Sequence, residues 1–161
     1  MELWFITDKI NIMRINKYFE MREFLPKETW EEIKDKPDLA KQFYKLVSPK
    51  LVEAVTQARE YFGKPVTIND WYRKGHFNYR GYRPPACKIG AKNSMHKRGC
   101  AIDFNVEGLT SDEVNDTIKK DEEIFYMMGF RRMESKLYAT TWTHLDTKET
   151  FEENTIYIFN P

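Results

Sequence analysis

Residues 94–103, with the sequence Ser-Met-His-Lys-Arg-Gly-Cys-Ala-Ile-Asp, constrain the fold of this chain more than any other stretch. His96 and Asp103 are seven positions apart, whereas side chains that meet on one face of a helix are three or four apart. From position 100 onward every second residue is apolar, namely Cys100, Ile102, Phe104 and Val106. This alternation predicts a loop that runs into a strand, with one face in the core and Asp103 on the other.

Small residues around Asp103 leave space for a site on the polar face of this strand. Ala101 is a neighbour of Asp103 on that face, and Gly99 allows the backbone to turn or to approach another segment closely. His96 can therefore fold back towards Asp103. An imidazole and a carboxylate suit zinc, and a third protein ligand with one open coordination position would make a catalytic site.

His144 is the best candidate for the third ligand. The sequence contains three histidines, and this one lies in residues 141–147, a run of threonine and aromatic residues that is typical of a strand. Trp142, His144 and Asp146 would share one face of that strand. A single histidine is more often a hydrogen-bonded structural residue than a metal ligand, so the prediction depends on the three residues together.

Matches to the signature of a known family extend over both stretches. They comprise Ser94, His96, Gly99, Ala101 and Asp103, followed some forty residues later by His144 and Asp146. The pattern resembles that of the zinc peptidases that include D-alanyl-D-alanine carboxypeptidases of the VanX and VanY type and phage L-alanyl-D-glutamate endolysins, with the Hedgehog signalling domain as a distant relative. Residues 17–24, 68–71 and 80–83 are similar to the opening and middle of a phage-associated branch, so the resemblance covers most of the chain.

This resemblance implies a fold, a cofactor and an activity. The fold would be α+β, with helices packed on a small antiparallel sheet. His96, Asp103 and His144 would be the metal ligands and would hold Zn²⁺. The activity would be hydrolysis of amide bonds in the peptidoglycan stem peptide, of the cell-wall endolysin or D,D-carboxypeptidase type.

The resemblance also suggests which residues contact the substrate. In the family an arginine upstream of the Ser-x-His element commonly engages a substrate carboxylate, a task that suits a planar and permanently charged guanidinium. Arg83 is the first choice for this role and Arg73 the second. Both lie in residues 70–93, which we interpret as an ordered loop on the substrate side, with aromatic packing beside exposed arginines as the alternative. Ser94 would stabilise the loop or touch the substrate.

The general base is the point at which the sequence departs from the family. Better-known members carry an acidic residue three positions before the last histidine ligand, and this position is Thr141 here. Threonine does not act as a base at neutral pH. Asp146, on the strand face of His144, and Glu134, on the preceding strand, are the two carboxylates that could replace it. Asp146 could instead orient a metal ligand, and each could equally be a structural carboxylate.

Thr141 also keeps other functions open. The leading alternative is a catalytically inactive module, either a domain of the same fold that keeps zinc for stability or a phage structural component that binds peptidoglycan without cutting it. A nucleic-acid-binding domain that uses the basic, aromatic loop is a third possibility. The balance of 26 basic and 25 acidic residues, a formal net charge of +1, argues against it. We expect no nucleic-acid partner, no stable membrane association and a monomer.

Length and cysteine content bound the organisation of the chain. A length of 161 residues fits a single domain over residues 1–161. Cys87 and Cys100 are too few for a disulfide framework, and Cys100 is expected to be a small, buried and reduced residue of the strand's apolar face. Residues 1–8 lack the features of a signal peptide, and no run of eighteen apolar residues occurs. We therefore expect synthesis in a cytosol. The resemblance to endolysins implies action on the cell wall after release during phage lysis.

Local patterns predict the remaining elements. A helix should begin at Ser48-Pro49 and end at Gly63, because serine caps, proline suits the first turn and glycine ends helices. Another should begin at Thr110, with acidic residues in its first turn, and continue to Gly129. The other predicted elements are helical pieces at 18–24 and 29–33, strands at 65–69 and 155–159, an antiparallel pair at 130–134 and 137–146, and an extended segment at 3–15.

Overall fold

Five short strands form one mixed sheet in the computed structural model, which describes residues 13–161. The strands are β1 (Val66–Thr67), β2 (Ala101–Val106), β3 (Arg132–Glu134), β4 (Thr143–Asp146) and β5 (Tyr157–Phe159). Their order across the sheet is β1-β2-β4-β3-β5. The predicted extended segment at 3–15 falls almost entirely outside the described residues. The α+β class is confirmed.

One strand pairing differs from the predicted antiparallel sheet. β1 with β2, β2 with β4, and β3 with β4 are antiparallel, whereas β3 and β5 are parallel. The pair is parallel because the chain, after β4, crosses to the other side of β3 and there forms β5, which runs in the same direction as β3. The strand predicted at 155–159 is confirmed as β5 and lies at an edge of the sheet. The hairpin of β3 and β4 has shorter strands and a longer connection than the sequence suggested.

The described part of the chain contains five α-helices. They are α1 (Lys27–Ile33), α2 (Leu39–Leu46), α3 (Pro49–Phe62), α4 (Ser111–Lys120) and α5 (Glu122–Met128). Single 3₁₀ turns occur at Met21–Glu23, Trp71–Arg73 and Met95–Arg98. No described helix has the length and apolar character that crossing a membrane requires.

The local signals explain where α3 and α4 begin and end. Helix α3 has Pro49 in its first turn and stops at Gly63, whose φ of 63° lies in the left-handed region. Ser48 occupies the N-cap position, but the predicted capping hydrogen bond from its side chain is not formed. Helix α4 starts with a capping box, in which the Thr110 hydroxyl accepts from the Glu113 N–H and the Glu113 carboxylate accepts from the Thr110 N–H. The single helix predicted for 110–129 is two helices, because Asp121 leaves helical geometry between them.

The core lies between the helices and the apolar face of the sheet. Ile102 of β2 and Leu145 of β4 are opposite each other in register and are both buried on this face. Helix α3 contacts α5, and α4 contacts β2 and β4. The largest fully buried side chains of the core are Phe19, Phe24, Phe43, Phe104, Phe125 and Phe130. The odd-numbered residues of β2 face away from this core, which is where the candidate site forms.

Cys100 does not belong to the core. It is a half-buried free thiol immediately before β2, and its Sγ donates to the carbonyl of Arg98. The predicted burial of this side chain was wrong because the strand begins one residue later, at Ala101.

Candidate metal centre

Asp103 and His144 are brought together by the register of two adjacent strands. Asp103 on β2 lies directly opposite His144 on β4, and both side chains are buried. The His144 Nδ1 is 2.8 Å from the Asp103 Oδ1. Residues directly opposite each other on one sheet face have adjacent side chains, so the pairing of β2 with β4 is sufficient to place these two groups in contact.

His96 reaches the same point from a tight turn. The 3₁₀ turn Met95–Arg98 starts at Ser94, whose hydroxyl accepts from the His96 N–H at 3.3 Å. It ends at Gly99, with a φ of 65°, and a Cβ added there would lie 1.9 Å from the Leu46 carbonyl oxygen. Only glycine fits both the left-handed backbone and this close approach. The turn carries His96 back over the start of β2.

Three donor atoms therefore converge on one point. The His96 Nε2 is 3.2 Å from the His144 Nδ1 and 3.3 Å from the Asp103 Oδ1. Zinc bound to nitrogen and oxygen at about 2.0–2.1 Å in a tetrahedron separates its ligand atoms by about 3.3 Å. Together with the 2.8 Å between His144 and Asp103, the donor set has the spacing that a single small divalent ion requires.

The far nitrogen of each imidazole has its own acceptor. The His96 Nδ1 donates to the Gly81 carbonyl at 2.7 Å, and the His144 Nε2 faces the Asp146 Oδ2 at 3.5 Å. A proton on each far nitrogen leaves the near nitrogen with a free lone pair. Hydrogen bonds of this kind orient the histidine ligands in metal sites. Both the distances between the donor atoms and the tautomers of the two histidines therefore suit a bound metal.

Without a bound metal, Asp103 and the two histidines shift one another's pKa values. Burial opposes a charge on Asp103, but the facing histidines outweigh it and hold the pKa of this carboxyl well below its usual range. Burial also opposes a charge on His144, but hydrogen bonds to Asp103 and Asp146 raise its pKa to about 9. Burial lowers the pKa of His96. Without an ion, a proton on His144 compensates the Asp103 carboxylate, and a metal would have to displace it.

A family model described as Peptidase M15 matches residues 17–146. This range contains the whole donor set and most of the chain. The chain belongs to the M15 peptidase family. Comparisons with curated proteins and with solved structures found no significant match. Membership confirms the resemblance to the VanX and VanY type of peptidase and supports a peptidase, while the phage-associated branch stays a prediction.

Arg83 of this M15 member lies in the site but is bound to protein atoms. Its Nη2 donates to the second oxygen of Asp103 at 2.8 Å, and its Nε donates to the Tyr79 carbonyl at 2.6 Å. The Arg83 residue is 9% exposed, so it is a buried part of the cavity wall. Arg83 thereby holds the carboxylate whose other oxygen faces the two histidines, a contact that the sequence did not suggest.

The structure does not bring Arg73 to this site. Arg73 ends the 3₁₀ turn Trp71–Arg73 and lines a separate cavity with Tyr72 and Glu23. Its guanidinium lies over the Tyr72 ring, 5.1 Å from the centroid. Ser94, in contrast, lines the cavity of the metal centre in addition to capping the turn of His96.

Asp146 and Glu134, the two candidate bases, have different surroundings. Asp146 is fully buried and accepts from the Nε and Nη2 of Arg132, at 3.0 and 2.6 Å, and from the Lys148 N–H at 3.0 Å. Glu134 has no such partner among residues 13–161, and its Oε2 is 3.9 Å from the His144 Nδ1. Burial raises the pKa of Glu134 above its ordinary value. The geometry therefore leaves Glu134 as the carboxylate with a free oxygen beside the donor set.

Thr141 is exposed and does not line the cavity. Its carbonyl accepts from the Asn105 side chain at 2.8 Å, which ties the backbone before β4 to β2. Thr141 therefore has a structural contact, and its side chain has none with the donor set. Glu134 enters the site from β3, on the other side of β4.

Sequence reasoning missed Arg132 and Lys148, which line the same cavity of about 430 Å³. Arg132 is opposite Asp146 in the register of β3 and β4 and forms a bidentate ion pair with it. The Phe159 ring of β5 packs edge-on against His144, with ring centroids 5.6 Å apart. A signal for Arg132 existed in the predicted hairpin, but only the exact register makes it a partner of Asp146.

Proposed function

We propose that this chain is a zinc-dependent peptidase that hydrolyses amide bonds in peptidoglycan stem peptides. Membership of the M15 family supports the peptidase activity. The grouping of His96, Asp103 and His144, all buried and with donor atoms within 4.8 Å of one another, supports the metal. The substrate class rests on the resemblance to the cell-wall peptidases.

Zinc fits this donor set better than a harder cation does. Two imidazoles and one carboxylate are ligands that zinc accepts, whereas calcium and magnesium prefer oxygen ligands alone. Three protein ligands leave one coordination position free, as catalytic zinc sites do. When bound there, zinc would supply a Lewis acid that polarises the scissile carbonyl and makes a water molecule more acidic.

The observation that carries the proposal is the position of Glu134. Its Oε2 lies 3.9 Å from the His144 Nδ1, at the edge of the donor set and inside the cavity. A carboxylate there can take a proton from the attacking water and pass it to the leaving amine. Its half-buried environment raises its pKa, which brings a carboxylate closer to the pH at which it must both accept and donate. Glu134 would thus take the role of the acidic residue that better-known members carry at the position of Thr141.

Other side chains of the cavity act through orientation. Asp146 holds the Nε2 of His144, and Arg132 in turn neutralises Asp146. Arg83 holds the second oxygen of Asp103, so that the first oxygen faces the histidines. These contacts fix the direction of each donor atom before any ion binds. A preformed site of this kind favours tight metal binding because little ordering remains to be done.

The second candidate function is the inactive module of the same fold. Thr141, which is exposed and remote from the donor set, favours it because the better-known members carry an acid at this position. Under this alternative the chain would bind zinc and peptidoglycan without turnover.

Cleavage of defined peptides tests between the two. Purified protein with zinc, with chelator, and with zinc restored after chelation is incubated with synthetic stem peptides, and products are identified by mass spectrometry. Chelator-sensitive cleavage that zinc restores supports the peptidase. Stoichiometric zinc with no product from any stem peptide would support the module. The position of the cut distinguishes an L-alanyl-D-glutamate endopeptidase from a D,D-carboxypeptidase.

A further inference from the structure

Three cationic side chains line the cavity of the metal centre, and two of them form ion pairs with carboxylates of the protein. Arg83 is ion-paired with Asp103, and Arg132 is ion-paired with Asp146. Arg83 makes this contact through its Nη2 and Arg132 through its Nε and Nη2, and both side chains are largely buried. Neither can turn to a substrate carboxylate without leaving a buried charge unpaired, which is costly.

Lys148 is the third cation, and its charge is free. Its side chain is exposed, and within residues 13–161 it takes part in no ion pair. It lines the same cavity as His96, Asp103 and His144. Among the cations of this cavity, Lys148 is therefore the one whose charge is not already balanced by a carboxylate of the described residues.

The backbone of Lys148 is held at a defined position relative to the donor set. Its N–H donates to the Asp146 Oδ1 at 3.0 Å, and the other oxygen of Asp146 faces His144. Lys148 also follows Asp146 and His144 at intervals of two residues, the repeat of a strand face. Its Cα is thus anchored on the side of the site where β4 ends, and only the flexible side chain remains to adapt to a ligand.

A second cleft continues from the metal centre past Lys148. This cleft, of about 350 Å³, shares Arg132 and Lys148 with the first cavity and is lined further on by Glu149, Thr150, Phe151, Glu152 and Tyr157. Phe151 is fully exposed, and Tyr157 is 44% exposed. Lys148 therefore lies where the two cavities meet, beside the path of a substrate that extends from the donor set into the second cleft.

We infer that Lys148 binds a carboxylate of the substrate at this junction and makes the site selective for acidic peptides. The inference rests on the proposed peptidase function and names one determinant of its specificity. It assigns to Lys148 the task that the sequence suggested for Arg83. The chemistry suits lysine, because a mobile ammonium can follow a carboxylate whose position varies between substrates.

Binding of matched peptides tests this assignment. The probes are a synthetic stem pentapeptide with free carboxylates and the same peptide with every carboxylate amidated. Dissociation constants are measured for the zinc-loaded full chain, for Lys148→Gln and for Lys148→Arg, under conditions in which mass spectrometry shows the peptide to be intact. Lys41→Gln is the control, because Lys41 is an exposed lysine of α2 outside both cavities. Cleavage is followed separately.

We expect Lys148→Gln to weaken binding of the acidic peptide about tenfold, as loss of a charged hydrogen bond does, and to leave the amidated peptide unchanged. Lys148→Arg should restore most of the affinity, and Lys41→Gln should match the wild type. Equal loss for both peptides, or no loss for the acidic one, would overturn the inference. If the acidic peptide shows the expected loss but no variant and no wild-type sample cleaves it, the peptidase proposal fails while the binding role of Lys148 is supported.

Discussion

The Nδ1 of His144 lies 2.8 Å from the Oδ1 of Asp103 because these two residues are directly opposite each other on neighbouring antiparallel strands. The two residues are 41 positions apart in the sequence, and the pairing of their strands alone brings them into contact. His96 is then the only member of the donor set whose position depends on a turn. The rigidity of the pair and the tightness of that turn lead to the following predictions.

Removing one ligand should abolish metal binding without unfolding the protein. We expect near-stoichiometric zinc in the wild type and large losses in His96→Ala and Asp103→Ala, since two remaining ligands hold zinc weakly. Zinc is measured by atomic emission after dialysis, and circular dichroism checks the fold. His76→Ala is the matched control, because His76 is exposed and not part of the donor set. Full zinc in both ligand variants would contradict the proposed centre.

Glu134→Gln should lose activity and keep zinc. The amide has nearly the shape of the carboxylate but cannot accept the proton, so kcat should fall by about 10²–10⁴-fold. KM and zinc content should change little. Glu107→Gln serves as a control, because Glu107 is exposed at the end of β2. If Glu134→Gln retained full kcat while Asp146→Asn lost it, the base would have to be sought at Asp146.

Gly99→Ala should be more destabilising than Gly63→Ala. Both glycines have left-handed φ values, 65° and 63°, so both variants carry backbone strain of about 1–3 kcal/mol. A Cβ at Gly63 meets open space, whereas one at Gly99 lies 1.9 Å from the Leu46 carbonyl oxygen. Urea unfolding of the two variants isolates the cost of this contact. Gly99→Ala should also bind zinc less tightly, because the turn that positions His96 must shift.

Arg132→Met should destabilise the protein, because it leaves the fully buried Asp146 without its bidentate partner. Removing one member of a buried pair typically costs about 3–5 kcal/mol. The double variant Arg132→Met/Asp146→Asn should recover part of this loss, since the unpaired charge is gone. Lys136→Met removes a cation from an exposed pair with Asp116 and should have little effect. Equal unfolding midpoints for Arg132→Met and Lys136→Met would exclude this role for Arg132.

The metal-free protein should lose stability as the pH rises from about 6.5 to 9. The pKa of His144 is 6.5 ordinarily and about 9 in the fold. A raised pKa means that its stabilisation is complete below 6.5 and is lost as the pH passes through 9. The lowered pKa of His96 acts oppositely, so its stabilisation is lost as the pH falls below 6.5. The two effects together place the maximum stability of the metal-free protein near pH 6.5. Denaturant unfolding in the presence of chelator at several pH values measures where this maximum lies. A much weaker alkaline decrease is expected with zinc, because a His144 that coordinates through Nδ1 is already neutral and has no Nδ1 proton to lose.

Short-range patterns were enough to predict much of the fold and the composition of the donor set. The alternation in 101–106 identified β2, and the capping residues identified the ends of α3 and the start of α4. These signals act between residues a few positions apart, where sequence spacing translates directly into geometry. For the same reason the sequence could propose His96, Asp103 and His144 as ligands from the residue types and from the strand period.

Partners of buried charges could not be predicted in this way. The role of Arg83 towards a substrate carboxylate stays a prediction, but the sequence did not indicate its ion pair with Asp103. It likewise did not indicate that Asp146 pairs with Arg132, or that Glu134 lies beside His144. The parallel placement of β5 and the junction at Lys148 likewise depend on how distant segments pack. A buried charge pairs with whichever opposite charge lies nearest in space, and that distance follows from strand register and chain return, which no local spacing encodes.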